Sequence, residues 1–101
     1  MIYQLQVPGP VSDVEEVRIL EWHGAAGKVF AENDLVVELE TNKAVIEVRA
    51  GRTSILRAIL CAEGDWQRIG EALALFSDAA DEPLPHDLAD LAALAVAFEV
   101  L

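Results

Sequence analysis

The sequence predicts a mainly β domain made of two small antiparallel sheets, followed by a C-terminal helix. Two observations predict the sheets: short segments that alternate apolar and polar residues, and a weak internal repeat with an offset of 37 residues. A third observation, a nearly continuous apolar run at the end of the chain, predicts the helix. The chain has 101 residues, enough for one domain with a single modest core.

Six segments have the length and composition of strands, and each is bounded by glycine, proline, aspartate or asparagine. They read YQLQV, VRILEWH, LVVELE, AVIEVRA, SILRAIL and ALALF. When the chain is aligned with itself at this offset, Ile19 aligns with Leu56 and Gly27 aligns with Gly64. Each half therefore contains a strand, a glycine turn and another strand. Two similar halves predict a pseudo-symmetric pair of sheets that pack on each other.

The clearest hairpin prediction has the dipeptide Asn42-Lys43 as its two-residue turn. The register places three pairs on the core face: Thr41 with Ala44, Leu39 with Ile46, and Val37 with Val48. On the other face Glu38 meets Glu47, a like-charge pair that costs a few tenths to about 1 kcal/mol. Such turns usually favour Asn-Gly, because both central residues need positive φ. Lys43 therefore stands where glycine would be easier.

The amino-acid composition changes after the last predicted strand. Residues 78–86 are acidic and contain two prolines, which is typical of a linker. Residues 87–101 predict a helix with Asp87 as its N-cap and an almost entirely apolar surface. Such a helix needs a partner, so we expect it to serve as an interface, including for self-association. The predicted organisation is a domain of residues 1–77, the linker and the helix.

Charge and cysteine content limit the classes of function. The net charge of −11 argues against nucleic acid or an anionic membrane as a partner, and favours a basic protein or simple solubility. A single cysteine, Cys61, excludes an internal disulfide and predicts a buried structural thiol. We expect no signal peptide, because the first residues lack a basic region followed by an apolar stretch, and the longest apolar run is too short to span a bilayer. We expect the cytoplasm, or an organelle matrix in a eukaryote.

No residue pattern predicts a catalytic centre or a metal site. His23 and His86 lie far apart and outside any metal-binding motif, so both are interpreted as structural or surface residues. Trp22 and Trp66 are expected in the core. The chain has only two lysines, Lys28 and Lys43, and small or acidic residues surround the second. Lys43 is therefore the residue that an enzyme could most easily reach.

Several segments carry a resemblance to a known family. Residues 38–48 read ELETNKAVIEV and resemble the lipoyl-lysine motif of the biotinyl/lipoyl attachment domains, whose usual form is close to ETDKA. Residues 19–23, ILEWH, resemble the tryptophan-ending strand of the first half of lipoyl domains. Residues 54–76 follow the second half, and the resemblance covers about residues 3 to 77. The family fold is a flattened barrel of two pseudo-symmetric four-stranded sheets, the barrel-sandwich hybrid.

The resemblance implies that Lys43 is the attachment site. The flanking residues that a modifying enzyme would recognise are Glu40, Thr41, Asn42 and Ala44. Biotin carriers typically have methionine on both sides of the lysine, so these flanks imply lipoate. The domain would then be a non-catalytic swinging arm that shuttles acyl groups in a 2-oxo acid dehydrogenase complex. Its implied partners are a lipoate ligase or transferase and the decarboxylating dehydrogenase, acyltransferase and flavoprotein components.

Other functions compatible with the sequence are an unmodified structural or assembly module of the same fold, whose interface would be the C-terminal helix, and a biotin carrier, which Ala44 disfavours. A glycine-cleavage carrier is less compatible, because that family is longer and has different flanks. Asn42 departs from the family pattern, which usually has aspartate at this position. The departure removes a negative charge that a partner enzyme can recognise.

Overall fold

The computed structural model describes all residues 1–101 as strands and loops without a helix. The strands are β1 (Ile2–Gln6), β2 (Glu16–Trp22), β3 (Val29–Phe30), β4 (Leu35–Glu40), β5 (Val45–Ala50), β6 (Ser54–Ile59), β7 (Trp66–Arg68), β8 (Ala72–Ser77), β9 (Ala92–Ala93) and β10 (Val96–Val100). The first sheet has the order β3-β6-β8-β1-β9 and the second has the order β10-β5-β4-β2-β7. Neighbouring strands are antiparallel except for β1 and β9. The predicted pair of packed sheets is confirmed.

The internal repeat corresponds to a real pseudo-symmetry of the backbone. Gly27 donates its N–H to the carbonyl of Leu56 over 2.7 Å, and the repeat-related Gly64 donates to the carbonyl of Ile19 over 2.8 Å. The two glycines have φ of 100° and 94°, a region that side chains rarely adopt. Each glycine turn is thus bonded to a strand of the other half, which locks the two halves together.

One core fills the space between the sheets. Its members are apolar residues from both sheets. Positions that are equivalent in the two halves both contribute: Ile19 corresponds to Leu56, and Leu39 corresponds to Phe76. Each of these four residues is at most 1% exposed. Phe30 and Phe76 pack edge to face with ring centroids 6.0 Å apart. In β1, β2, β5 and β6 the buried side chains alternate with more exposed ones, which explains why the alternating pattern predicted these strands.

The predicted hairpin register is confirmed. In β4 and β5, Val37 pairs with Val48, Leu39 with Ile46 and Glu38 with Glu47. Thr41 donates its backbone N–H to the carbonyl of Ala44 over 2.8 Å, which closes the hairpin. The tip that carries Lys43 therefore projects from one end of the second sheet.

The predicted C-terminal helix is wrong. Residues 87–101 instead supply β9, which pairs with β1, and β10, which pairs with β5. Asp87 does not cap a helix; its carboxylate accepts the N–H of Ala89 in a local turn. The free edges of β1 and β5 offer unpaired backbone groups, and pairing with them outweighs the helix propensity of an alanine- and leucine-rich segment. Without a helix, the chain has none that could cross a membrane.

The segment that was expected to be a linker runs along the barrel. Arg57 donates to the carbonyl of Ala79, and Arg52 pairs with Asp78 over 2.8 Å. Farther on, the amide of Gln4 in β1 donates to the carbonyls of Leu88 and Leu91. These bonds bring β9 and β10 back to the two sheets. The division of the chain after residue 77 stays a prediction.

The C-terminal strands should contribute measurably to stability. Leu94, between β9 and β10, is 4% exposed and belongs to the core, whereas Leu101 is 61% exposed. We expect Leu94→Ala to lower the free energy of unfolding by about 2–4 kcal/mol, because it removes buried methyl groups and leaves a cavity. The matched control Leu101→Ala should change it by less than about 0.5 kcal/mol. Urea denaturation measures both, and equally small effects would show that this segment does not pack on the barrel.

Candidate functional site

The tip of the β4–β5 hairpin presents a free amine. Asn42 and Lys43 are both exposed, and the side chain of Lys43 has neither a hydrogen bond nor an ion pair. Lys28, the only other lysine, donates its amine to the carbonyl of His23 over 2.9 Å and lies 4.8 Å from the centroid of the Phe30 ring. Of the two lysines, Lys43 is therefore the one whose amine is free of contacts with the protein, and its role as an attachment site stays a prediction.

The turn that carries Lys43 is held by a side chain. Thr41 Oγ1 accepts the backbone N–H of Lys43 over 3.0 Å and that of Ala44 over 2.9 Å, and its hydroxyl donates to the carbonyl of Ala44. Thr41 is only 8% exposed, so these bonds are shielded from water. The tip is thus fixed at its base while the lysine side chain stays free to extend.

The expectation that the turn needs positive φ is wrong. The residues other than glycine with positive φ are Asp13 and Asn33, and neither Asn42 nor Lys43 is among them. The Thr41 hydroxyl supplies the acceptor that the backbone provides in a tighter turn, so the chain closes the hairpin without a left-handed residue. Lysine at this position therefore costs no backbone strain.

The other predicted flanking residues lie at the base of the tip. Glu40, the last residue of β4, pairs with Arg18 of β2 over 2.8 Å, and Ala44 is half-buried just before the return strand β5. The carboxylate of Glu40 is therefore engaged by the sheet, unlike the amide of Asn42 beside the lysine. Among the polar flanks, Asn42 is the one whose side chain a partner can reach without breaking an existing bond.

An acidic cleft opens beside the tip. Its volume is about 650 Å³, and it is lined by Asp13, Val14, Glu15, Glu16, Asn42 and Trp66. The expected core position of Trp66 is wrong, because this residue is 54% exposed on the edge strand β7. Trp22 does pack against the core and donates its indole N–H to the carbonyl of Cys61 over 2.9 Å. The surroundings of Lys43 thus combine negative charge with one exposed aromatic ring.

The sequence did not indicate this cleft, because its walls come from distant segments. The loop between β1 and β2 supplies the acids, and β7 in the second half of the chain supplies Trp66. Pairing of β2 with β7, with Arg18 opposite Trp66, brings them together. The only local signal was the run of acids at residues 13–16, and its position relative to Lys43 depends on the tertiary structure.

Cys61 is the only thiol of the chain. It is buried, and this burial raises the pKa of its thiol above the usual value, so the reactive thiolate is disfavoured. The prediction of a buried structural cysteine is confirmed.

Comparison with known proteins identifies the class of this domain. Residues 3–76 match the Biotin_lipoyl family model, described as "Biotin-requiring enzyme". The chain therefore belongs to the biotin/lipoyl attachment family. Within that family, it resembles the lipoyl type of domain.

The solved structure and the curated proteins that this chain resembles are named for lipoyl groups. The solution structure of the lipoyl domain of the 2-oxoglutarate dehydrogenase complex from Azotobacter vinelandii superposes with a TM-score of 0.64 at 27% identity, covering 74% of this chain and 95% of that one. The dihydrolipoyllysine-residue succinyltransferase component of the 2-oxoglutarate dehydrogenase complex of Staphylococcus saprophyticus is 31% identical over 75 residues, which are 74% of this chain and 18% of the relative. Its counterpart from Bacillus subtilis is 28% identical over 79 residues, 78% of this chain and 19% of the relative. The chain thus spans about a fifth of the length of these curated relatives.

The role of Thr41 can be tested by removing its oxygen while keeping its shape. Thr41→Val leaves two backbone N–H groups without an acceptor, so we expect a loss of about 1–2 kcal/mol in the free energy of unfolding. Faster hydrogen exchange at the amides of Lys43 and Ala44 should accompany this loss. Thr41→Ser keeps the oxygen and should retain most of the protection. Unchanged exchange in the valine variant would show that the hydroxyl does not hold the turn.

Proposed function

We propose that Lys43 carries lipoate in amide linkage and that the domain is a swinging-arm carrier of a 2-oxo acid dehydrogenase complex. The observation that carries the proposal is the unpaired amine of Lys43 on a turn locked by Thr41, in a chain of the lipoyl-attachment family. The residues around the amine fit such a group, because Ala44 is small, Asn42 is exposed, and no side chain covers the tip. When bound, lipoate supplies a dithiolane that accepts and passes on acyl groups.

The protein contributes position and reach to this chemistry. The hairpin is part of a five-stranded sheet, so the base of the arm is fixed relative to the barrel while the arm itself can move. A tethered group meets successive active sites at a high effective concentration, which replaces slow encounters between free molecules. A rigid barrel with a mobile arm matches that requirement.

The acidic surroundings of the tip support a basic partner. Asp13, Glu15 and Glu16 line the cleft beside Asn42, and the whole chain has a net charge of −11. Complementary charge accelerates the encounter of two proteins and fixes their orientation. We infer that the decarboxylating component presents basic residues around its active-site entrance, and that these residues meet this face.

The curated relatives suggest the particular complex. They are named succinyltransferase components of 2-oxoglutarate dehydrogenase complexes, and the part that matches this chain is about a fifth of their length. We therefore propose 2-oxoglutarate as the 2-oxo acid. The proposed partners are the matching decarboxylase, the acyltransferase, the flavoprotein and a lipoate ligase or transferase. We propose the cytoplasm, or an organelle matrix in a eukaryote, as the place of action.

Attachment should depend on one lysine. We expect Lys43→Arg to abolish lipoylation by a lipoate ligase, because the guanidinium group cannot form the amide. Lys28→Arg is the matched control and should be modified as fully as the wild type, since the amine of Lys28 is already bonded to a backbone carbonyl. Intact mass and peptide mapping measure the extent of modification. Full modification of the arginine variant at position 43, or transfer of a biotinyl group instead, would contradict the assignment.

The amide of Asn42 should matter to the acylating partner more than to the ligase. Asn42→Asp keeps the turn chemistry and adds one negative charge beside the arm. We expect an unchanged extent of lipoylation and a faster reductive acylation by a 2-oxoglutarate decarboxylase, with the gain disappearing at high salt. Asn33→Asp is the matched control, because it adds the same charge at the opposite end of β4, roughly 20 Å away. A strong change in lipoylation with no change in acylation would assign Asn42 to the ligase instead.

A further inference from the structure

We propose that Glu21, His23 and Glu38 form a binding site for a divalent transition-metal ion such as Zn²⁺ on the outer face of the second sheet. His23 Nε2 lies 2.6 Å from Glu38 Oε1 and 3.3 Å from Glu21 Oε2. The three potential ligand atoms all lie within 4.8 Å of one another. The site is separate from the hairpin tip and does not depend on the attached cofactor.

An irregularity in β2 builds this cluster. The pairing of β2 with β4 shifts by one residue between Ile19 and Glu21, so Glu21 lies opposite Glu38. His23 follows two residues later on the same side of the strand, and its backbone N–H is fixed by the carbonyl of Val36 over 2.9 Å. Without the shift, Glu21 would share the core-facing side of Ile19. The bulge thus places both side chains beside Glu38.

The electrostatics of the sheet favour a cation at this position. Glu21, Glu38, Glu47 and Glu99 are successive cross-strand partners on β2, β4, β5 and β10. Directly opposed like charges destabilise a sheet. Arg49 approaches Glu47 within 3.4 Å, but no arginine or lysine reaches the carboxylates of Glu21 and Glu38. A divalent ion between these two carboxylates would offset their repulsion.

The set of donor atoms indicates the class of metal. One imidazole nitrogen and two carboxylate oxygens suit Zn²⁺ and its neighbours in the first transition row, whereas Ca²⁺ and Mg²⁺ prefer oxygen alone. Zinc–ligand distances near 2.0–2.2 Å put the ligands of a tetrahedral ion about 3.3 Å apart. The contact between His23 and Glu21 already has this length, and the contact with Glu38 must lengthen by less than about 1 Å. Three protein ligands leave the fourth position to water.

The nearby amine of Lys28 leaves the imidazole of His23 available to bind a metal ion. The amine of Lys28 bonds to the backbone carbonyl of His23 and lies over Phe30, so it occupies neither the imidazole nor the two carboxylates. His23 is half-buried, with 27% of its side chain exposed, while Glu21 is 57% exposed and free to adjust its rotamer. An ion can therefore reach the site from solvent without opening the barrel.

The test is a zinc titration of the unmodified full chain, so that no lipoyl sulfur competes for the metal. Isothermal calorimetry should show one Zn²⁺ per chain, and the His23 ring resonances should shift in the NMR spectrum. We expect His23→Gln to weaken binding by at least about tenfold, because losing a ligand should cost no less than losing one of the outer-shell partners that orient ligands. The matched control His86→Gln, which removes the other histidine, should bind like the wild type.

A second pair of variants separates a specific site from general acidity. Glu38→Gln should weaken binding as His23→Gln does. Glu99→Gln removes the same charge from the same row of carboxylates outside the cluster, so it should change the affinity by less than about twofold. Thermal melts confirm that each variant folds. Equal binding by wild type and His23→Gln, equal weakening by Glu38→Gln and Glu99→Gln, or no binding at about 100 μM Zn²⁺ would overturn the proposal.

Discussion

The backbone register of the β4–β5 hairpin is the constraint on which the site depends. Because Leu39 and Ile46 are a buried pair, a slip by one residue would turn both away from the core. The same register leaves Asn42 and Lys43 beyond the last buried pair, where the Thr41 hydroxyl closes the turn. Core burial therefore determines which lysine stands at the tip, and the turn keeps its amine unpaired.

Period-two patterning made much of this arrangement predictable. Each half of the chain alternates in the way that a sheet with one buried face requires, and the 37-residue repeat reflects real hydrogen bonds between the halves. The exposed position of Lys43 could be predicted because this residue combines a turn position with small and acidic neighbours. The role of Thr41 was missed, because the prediction rested on the backbone angles of Asn42 and Lys43 alone. A threonine hydroxyl can accept the N–H two residues later, so Thr41 did carry a local signal for this turn.

The incorrect predictions from the sequence have a common cause in the tertiary structure. Residues 92–100 have the composition of a helix but form strands, since β1 and β5 have free edges that only the folded barrel creates. The strand or turn context of Trp66 predicts a core position, yet this residue lies on an edge strand beside the acidic loop. The bulge that turns Glu21 and His23 to the outer face leaves no mark in the alternation. Each error concerns a feature that depends on which strands become neighbours.

Acidic residues form two separate groups on the folded barrel. One group of acids lines the cleft beside Lys43, and another forms the row of paired glutamates across the second sheet. The measurement that tests the carrier role most directly compares reductive acylation by a 2-oxoglutarate decarboxylase of the lipoylated domain with that of free lipoamide. A carrier that its partner recognises should give a much higher kcat/KM than the free amide, because the barrel contributes binding energy in the transition state. Equal values for the two substrates would contradict the role of the domain as a recognised carrier.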